Sequence, residues 1–364
     1  MLGLIGSLAA ISEQAQIIVG HAMFFGLIFT VALSIGFQYG KAGVPNLGCA
    51  VSVLVGGSTV SAITSRVAFK LVEMAGVDLL PYSSAYDWVY NNERNVKVLV
   101  DGYLRTAPAL CVALLLFTLA VSMVLGAAVG WVISAPAIRL KAPFLIIALL
   151  TMSDAVSIVS RKLVTISGGT LGMYVPDILA FYPGDRTIIM AILSLLAGLA
   201  VFLVYRTMLD SPYGRLMVVV RESEATARSV GKNVVGVRRN IFMFGSGIIA
   251  MAGALNAFYF SYVVQANYGL YYWTYWPLLM VIIGGSGNCA GALLGTALVM
   301  VLRYSITAYR YALYEFLFFP TAYLDSLLLG VLMIIFLIFR PQGLIAERPH
   351  RVPGMKYREL LSEE

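Results

Sequence analysis

The sequence predicts an all-α membrane protein, a polytopic bundle of helices, from its apolar composition, its long apolar stretches and the placement of its charges in loops. Of the 364 residues, 60% are hydrophobic and only 12% are charged, and the mean hydropathy is +0.87. A soluble globular protein carries about 25% charged residues. The composition therefore excludes an ordinary soluble protein and predicts a single domain within a bilayer.

The apolar stretches set the number of expected membrane spans. A helix that crosses a bilayer needs about 20 predominantly apolar residues. About nine stretches meet this need, near 16–37, 43–63, 107–134, 143–160, 187–207, 240–263, 274–286, 290–309 and 325–340. We expect a transmembrane domain over 1–345, with some helices broken or re-entrant, followed by a tail over 346–364.

The charged residues indicate which loops face the cytosol. Seven basic and three acidic residues lie between Arg206 and Arg239, and loops rich in Lys and Arg stay on the cytosolic side of a membrane. Counting spans outward from this loop (211–239) places the N-terminus outside and the tail after Arg340 in the cytosol. The first basic residue is Lys41, so we expect no cleaved signal peptide. The sequence thus predicts a multi-pass protein of the cytoplasmic membrane.

Several classes of function are excluded by composition. The net charge of +7 lies in loops rather than on one face of a soluble module, which argues against nucleic-acid binding. His21 and His350 are the only histidines, and the three cysteines have no metal-ligand spacing,. The stretch "SVGKN" has Asn233 where a P-loop needs Ser or Thr,. We expect no catalytic residue, no metal and no cofactor in this chain, so another chain would hydrolyse any ATP that drives it.

A short helix is predicted inside the cytosolic loop. Ser223 is a suitable N-cap, Glu224 lies in the first turn four residues before Arg228, and Gly231 supplies a left-handed stop,. Isolated helices of this length are marginal in water, so the helix must pack on something. Two interpretations carry equal weight: it packs on the protein's own spans, or it docks a partner protein.

The stretch "RESEATARSVG" resembles the cytosolic coupling-helix signature of ABC-importer permeases of the branched-chain amino acid type, the LivM/LivH family, and lies closer to the LivM side. Thr226 and Arg228 depart from the usual pattern, which puts local contacts to a partner in doubt. "SGGTLG", "GGSGNCAGALLG" and "FRPQGL" resemble three further motifs of that family, in the family's order. Together with "GWVISAPAIRLKAPFLIIALLT", these motifs cover roughly residues 125–345.

The resemblance implies the transmembrane subunit of an ATP-driven importer of branched-chain amino acids or a similar small polar solute. It implies two cytosolic ABC ATPase subunits, which hold ATP and Mg²⁺, a second related permease and an extracellular solute-binding protein. The residues it implies for ATPase coupling are Arg221, Glu222, Glu224, Ala227, Arg228 and Gly231. The alternatives are a secondary transporter driven by an ion gradient and a membrane-embedded enzyme, for which no catalytic cluster is present.

One predicted span carries a polar stripe formed by Thr151, Asp154, Ser157 and Arg161. A carboxylate at the bilayer centre costs about 2.5–3.5 kcal/mol on insertion scales, so Asp154 should face the bundle interior, a water-filled cavity or a partner. We favour an internal hydrogen-bonded anchor over a place on the translocation path or at a second permease. The same two interpretations, with the same preference, apply to Asn46 in "GVPNLG".

Glycines mark two further features. Gly287, Gly291 and Gly295 recur every four residues, so one face of their predicted helix lets a neighbour approach closely, and ordinary packing is favoured over gating. The loop at Ser167, Gly168 and Gly169, like Gly284 and Gly285, is a candidate for a helix break that lines a solute path.

The predicted outer segment 66–105 contains "LLPYSSAYDWVYNNERN". Its aromatic residues predict a position at the membrane interface, where Tyr and Trp are favoured. The alternative is a docking site for an extracellular binding protein.

Overall fold

The computed structural model describes residues 2–77, 79–80, 84–140, 142–309 and 324–346. Most of these residues are helical, because a backbone surrounded by lipid must satisfy its own hydrogen bonds. The fold is therefore the predicted all-α membrane bundle. Apart from residue 346, the tail expected over 346–364 lies outside the described residues.

The elements follow one another in a simple order. They are α1 (Leu2–Ile35), α2 (Cys49–Thr59), α3 (Ser65–Met74), α4 (Ala85–Tyr90), α5 (Asp101–Leu104), α6 (Pro108–Arg139), α7 (Ala142–Lys162), α8 (Val164–Ser167), β1 (Met173–Tyr174), α9 (Arg186–Asp210), α10 (Pro212–Glu222), α11 (Glu224–Ser229), α12 (Val234–Phe260), β2 (Tyr262–Val263), α13 (Trp276–Gly284), α14 (Cys289–Ala308) and α15 (Leu324–Phe339). A 3-10 turn covers Gln265–Tyr268, and π-helical turns cover Gly36–Lys41, Val60–Thr64, Glu93–Val100 and Tyr271–Tyr275. The two strands pair antiparallel, with Met173 opposite Val263.

Seven helices within the described ranges are long and apolar enough to cross a membrane. They cover Ala15–Lys41, Cys49–Met74, Pro108–Pro136, Pro143–Lys162, Arg186–Asp210, Val234–Phe260 and Cys289–Ala308. The other two expected spans are helical but shorter, with 9 residues in α13 and 16 in α15, against about 20 for a full crossing. The expected nine spans are thus seven full-length helices and two shorter ones. The α-helix α13 is short because the chain before it forms a 3-10 turn and a π-helical turn instead of regular α-helix.

Helix α12 is the central helix of the bundle and packs between α2 and α6. A Cβ added at Gly253 of α12 would collide with the Val53 carbonyl of α2. A Cβ added at Gly126 of α6 would collide with Ala250 of α12. Glycine at these positions therefore allows the three helices to approach at backbone distance.

The described residues of the segment 66–105 and the loop 163–185 form a folded cap at one end of the bundle. Trp88 is 1% exposed and packs edge-on against Phe69, with ring centroids 5.4 Å apart. Asn92 Oδ1 accepts a hydrogen bond from the Tyr174 N–H (2.6 Å), which joins the two segments. The expected interfacial position is wrong for Trp88, because its indole completes the hydrophobic core of the cap. Tyr86, by contrast, is exposed.

The opposite end of the bundle is closed by a backbone contact. The Leu344 N–H donates to the Ile283 carbonyl (2.8 Å), and the Ile345 N–H donates to the Gly284 carbonyl (3.0 Å). We call this contact the C-terminal clasp. It fixes the segment after α15 to the end of α13.

Candidate functional site

The loop 211–239 folds into two short helices, of which sequence reasoning predicted only the second. Ser211 is the N-cap of α10, and its Oγ accepts a hydrogen bond from the Gly214 N–H (3.4 Å). A Cβ added at Gly214 would collide with the Leu209 carbonyl. The Ser and Gly of the "SPYG" stretch are therefore required by the tight turn from α9 into α10.

The predicted helix is α11, and both of its ends are as expected. The Thr226 N–H donates to Ser223 Oγ (3.2 Å), which confirms the N-cap. Gly231 has φ of +72°, and the Lys232 N–H donates to the Ala227 carbonyl (3.0 Å). This pattern is a Schellman motif, which requires a left-handed residue after the helix. The left-handed stop at Gly231 is thus confirmed.

Two ion pairs of Glu224 hold α11 in place. Its carboxylate pairs with Arg228 (2.6 Å), as the spacing predicted, and also with Arg238 of α12 (3.2 Å). Ala227 is completely buried in the hydrophobic core, whereas Val230 is 63% exposed. α11 therefore packs on the protein's own helices through one face and leaves a second face open.

Arg221, the last basic residue of α10, connects this loop to the first span. Its guanidinium donates to the carbonyl of Gly40, in the π-helical turn that ends α1. It also pairs with the exposed Glu222 carboxylate (2.7 Å). A Cβ added at Gly40 would collide with the Ser286 carbonyl. The end of α1 is thus held between α10 and the turn that joins α13 to α14.

The glycine repeat packs α14 against α13. A Cβ added at Gly295 would collide with the Met280 carbonyl, and one at Gly284 would collide with the Gly291 carbonyl. Gly287 does not belong to this face, because α14 begins only after Asn288, whose Oδ1 caps it by accepting the Ala290 N–H (3.0 Å). The repeat on the helix is therefore Gly291 and Gly295, and Gly287 lies in the preceding turn.

The polar stripe of α7 borders a small cavity. Asp154, Ser157 and Arg161 line a space of about 70 Å³ together with the start of α2 and residues 268–270. Asp154 is exposed at the surface of the chain, and no hydrogen bond or ion pair of its side chain occurs among the described residues. The favoured interpretation of Asp154 as an internal hydrogen-bonded anchor is therefore not supported. Thr151 does not line the cavity.

The loop after α8 belongs to the cap. Ser167 is completely buried, and Gly168 and Gly169 both have left-handed φ, +73° and +65°. A Cβ added at Gly169 would lie 3.2 Å from the Arg161 carbonyl, so the loop folds back onto the end of α7. In the described chain, residues 163–185 contain only the four-residue α8 and the two-residue β1 as regular elements, rather than a re-entrant pair of helices.

Asn46 shapes the start of α2. It is 2% exposed, and its Oδ1 accepts a hydrogen bond from the Gly48 N–H (3.0 Å). Two residues later the Ala50 N–H donates to Thr274 Oγ1 (3.1 Å). The start of α2 therefore meets the π-helical turn before α13, and the geometry favours the structural interpretation of Asn46.

The cap carries a second polar cavity, of about 500 Å³, which sequence reasoning missed. Asp177 pairs with Arg186 (3.0 Å), and its N–H donates to Asp101 Oδ1 (2.9 Å). Burial raises the pKa of the Asp101 carboxyl to about 7. The charge of Asp177 acts in the same direction, while its N–H, Arg186 and Arg105 act against it.

The remaining wall of the α7 cavity also carried no sequence signal. Ser153 is 3% exposed, and its Oγ has no hydrogen-bond partner among the described residues. Leu270 comes from the irregular segment after α12. Contacts between such distant segments leave no local pattern, so neither residue stood out.

Comparison with known proteins gives one consistent result. The family described as branched-chain amino acid transport system / permease component matches residues 17–337. The protein named probable branched-chain amino acid transport permease protein LivM, from Methanocaldococcus jannaschii, is 32% identical over 337 residues, which cover 92% of this chain and 94% of that protein. The high-affinity branched-chain amino acid transport system permease protein LivM of Escherichia coli is 24% identical over 66% of this chain and 59% of its own length. No solved structure is significantly similar to this chain.

Proposed function

This chain belongs to the family of branched-chain amino acid transport permeases, the membrane component of ABC-type transporters, and we propose that two cytosolic ABC ATPase subunits drive it. The family is one of transporters rather than catalysts. In the proposed complex, ATP and Mg²⁺ bind to the ATPase subunits. This chain supplies the path through the membrane and the surface that the ATPase subunits bind.

The observation that carries this proposal is the two-faced geometry of α11. Ala227 and the Glu224–Arg238 ion pair hold one face on the bundle. The other face presents Ala225, Thr226, Arg228, Ser229 and Val230. A short helix that is capped at both ends and fixed to a span can transmit a displacement to that span without unfolding. This exposed face is where we place the ATPase.

The same geometry gives the route of transmission. Closure of the two ATPases would move α10 and α11 together, and the Arg221–Gly40 hydrogen bond would carry the motion to the end of α1. The Glu224–Arg238 pair would carry it to the central helix α12. Packed helices shift as units in such transitions, so a movement of the loop would re-orient spans.

A second, related permease would complete the solute path along α7. Only 22% of the most apolar stretch of α7 is buried within this chain, yet the helix carries the exposed carboxylate of Asp154. A carboxylate facing lipid at this position would be costly. We therefore place Asp154 and Ser157 at the path between the two permeases rather than against lipid.

The proposed orientation follows the positive-inside rule. The loop 211–239 and the C-terminal clasp lie at the end of the bundle opposite the cap, since α9 runs from the cap to this loop. With the basic loop in the cytosol, the N-terminus is outside and the segment after α15 is inside. The cap then faces outward, where a solute-binding protein would deliver its cargo.

Mass spectrometry of the chains that co-purify after gentle solubilisation tests the proposal. We expect two ATPases and a second permease with the wild type, and loss of the ATPases in a Glu224→Lys, Gly231→Leu variant. Glu73→Lys, Gly76→Leu is the matched control, since it alters an exposed acid and a left-handed glycine (φ +88°) at the cap end. This control should retain the ATPases.

Other results would contradict the proposal. If the wild type purifies alone and still moves solute in vesicles without ATP, the chain is a secondary transporter. If both variants retain the ATPases equally, the coupling surface lies elsewhere than α11.

A further inference from the structure

The cavity beside α7 combines opposite charges with an apolar wall. Asp154 and Arg161 both line it, together with Ser153 and Ser157 of the same helix. Val51, Leu54 and Leu270 supply aliphatic surface on the other side.

The two charges do not satisfy each other. Neither Asp154 nor Arg161 takes part in an ion pair or side-chain hydrogen bond among the described residues. Seven residues correspond to a rise of about 10 Å along an α-helix, so the two groups face the same cavity from different turns. The Ser153 hydroxyl in its wall is also buried and without a partner. A ligand with one positive and one negative group would satisfy all three.

We propose that this cavity binds the head group of an aliphatic α-amino acid during transport, with Asp154 holding the ammonium and Arg161 the carboxylate. The inference rests on the proposed function, because it makes the α7 face part of the solute path. Ser153 and Ser157 donate hydrogen bonds to the same head group, and Val51, Leu54 and Leu270 contact the branched side chain.

The size of the cavity fits a site that this chain only half encloses. Its volume of about 70 Å³ is the room of two or three water molecules at about 30 Å³ each, less than an amino acid needs. Asp154 lies at the exposed edge, so the second permease completes the enclosure. A solute with a single charge leaves either Asp154 or Arg161 unpaired, and the site therefore discriminates against it.

The test is substrate protection in the assembled importer. Ser157→Cys is introduced into the complex with its ATPases and second permease, in a Cys289→Ala background, since Cys49 and Cys111 are buried. The rate of modification by a small methanethiosulfonate reagent is measured with leucine, with 4-methyl-2-oxopentanoate, which lacks the ammonium, and with 3-methylbutylamine, which lacks the carboxylate. Lys162→Cys, exposed and outside the cavity, is the labelling control.

Leucine should slow labelling of Ser157→Cys about tenfold, because leucine should occupy the site in roughly nine-tenths of the complexes. Neither analogue should slow labelling as much. Asp154→Asn and Arg161→Gln should abolish the protection, whereas the matched Lys162→Gln should preserve it. Labelling of Lys162→Cys should not respond to leucine.

Equal protection by all three compounds overturns the assignment of the two charges. Absence of protection in a complex that imports leucine overturns the site, and Asp154 and Arg161 then serve the contact with the second permease. A wild-type complex that fails to import leucine with ATP contradicts the proposed function instead, and leucine-specific protection would survive that result. Protection that depends on a zwitterionic lipid in the vesicle, and not on leucine, identifies a lipid head group as the occupant and also overturns the inference.

Discussion

The guanidinium of Arg221 donates a hydrogen bond to the carbonyl of Gly40, so the end of α10 is fastened to the end of α1. These residues are far apart in sequence, and no helical periodicity relates them. The hydrogen bond connects the charged loop 211–239 directly to the first membrane span.

Replacing Arg221 by Ala should uncouple ATP hydrolysis from transport. The complex should assemble, because α11 keeps both ion pairs of Glu224, but motion of α10 no longer reaches α1 through the hydrogen bond. The measurement is the ratio of leucine imported to ATP hydrolysed in proteoliposomes, which should fall severalfold. Arg215→Ala is the control, since Arg215 is exposed and its guanidinium donates only to the Asp210 carbonyl among the described residues, at 3.5 Å. An unchanged ratio for Arg221→Ala would show that transmission does not use α1.

Gly231→Ala should loosen the end of α11 by about 1–2 kcal/mol, the cost of a side chain in the left-handed region. The effect is confined to the backbone, because a Cβ at this position would have nothing within 4 Å. Hydrogen exchange should be faster at the amides of residue 231 and Lys232, which donate to the carbonyls of Arg228 and Ala227 in α11. Gly231→Asn should be closer to wild type, since Asn tolerates this conformation. Equal effects of Ala and Asn would contradict the backbone explanation.

Gly295→Ala should destabilise the protein by about 1–3 kcal/mol, the usual cost of overpacking. A single methyl group there collides with the Met280 carbonyl and separates α14 from α13. Thermal unfolding of the purified protein in detergent measures the loss. The control is Gly330→Ala in α15, where a Cβ has nothing within 4 Å. If both variants melt together with the wild type, the close approach of α13 and α14 does not contribute to stability.

The cap should lose stability as pH rises. The pKa of Asp101 is raised to about 7, so between pH 4 and pH 7 the folded protein holds a proton that the unfolded chain releases. The free energy of unfolding therefore falls across this window and levels off above it. Asp101→Asn should remove this dependence, because the amide keeps an oxygen for the Asp177 N–H. Unfolding temperatures at pH 5 and pH 8 should differ by a few degrees more in the wild type than in the variant; equal differences would refute the argument.

The features that sequence reasoning predicted correctly are local. The N-cap at Ser223, the Glu224–Arg228 pair and the stop at Gly231 each depend on residues within a few positions of one another. Long apolar stretches likewise identified the full-length spans. Gly287 was misplaced because glycine spacing was used without the cap at Asn288, a signal that was present in the sequence.

The features that were missed depend on segments far apart in the chain. Nothing near Trp88 indicates that it forms the core of a cap rather than an interfacial anchor. The pairing of Asp101 with the Asp177 N–H and the wall of the α7 cavity formed by Leu270 have the same character. The π-helical turns were not predicted either, because they share the apolar composition of the helices they interrupt.

The C-terminal clasp sets the order in which the protein can be completed during synthesis. The carbonyls of Ile283 and Gly284 receive their partners from Leu344 and Ile345, which leave the ribosome only after α15 has been made. Until then the two carbonyls of α13 lack these partners, at a cost for each that is buried. A nascent chain that stops before Leu344 would contain all seven full-length spans of the described ranges and still lack this closure.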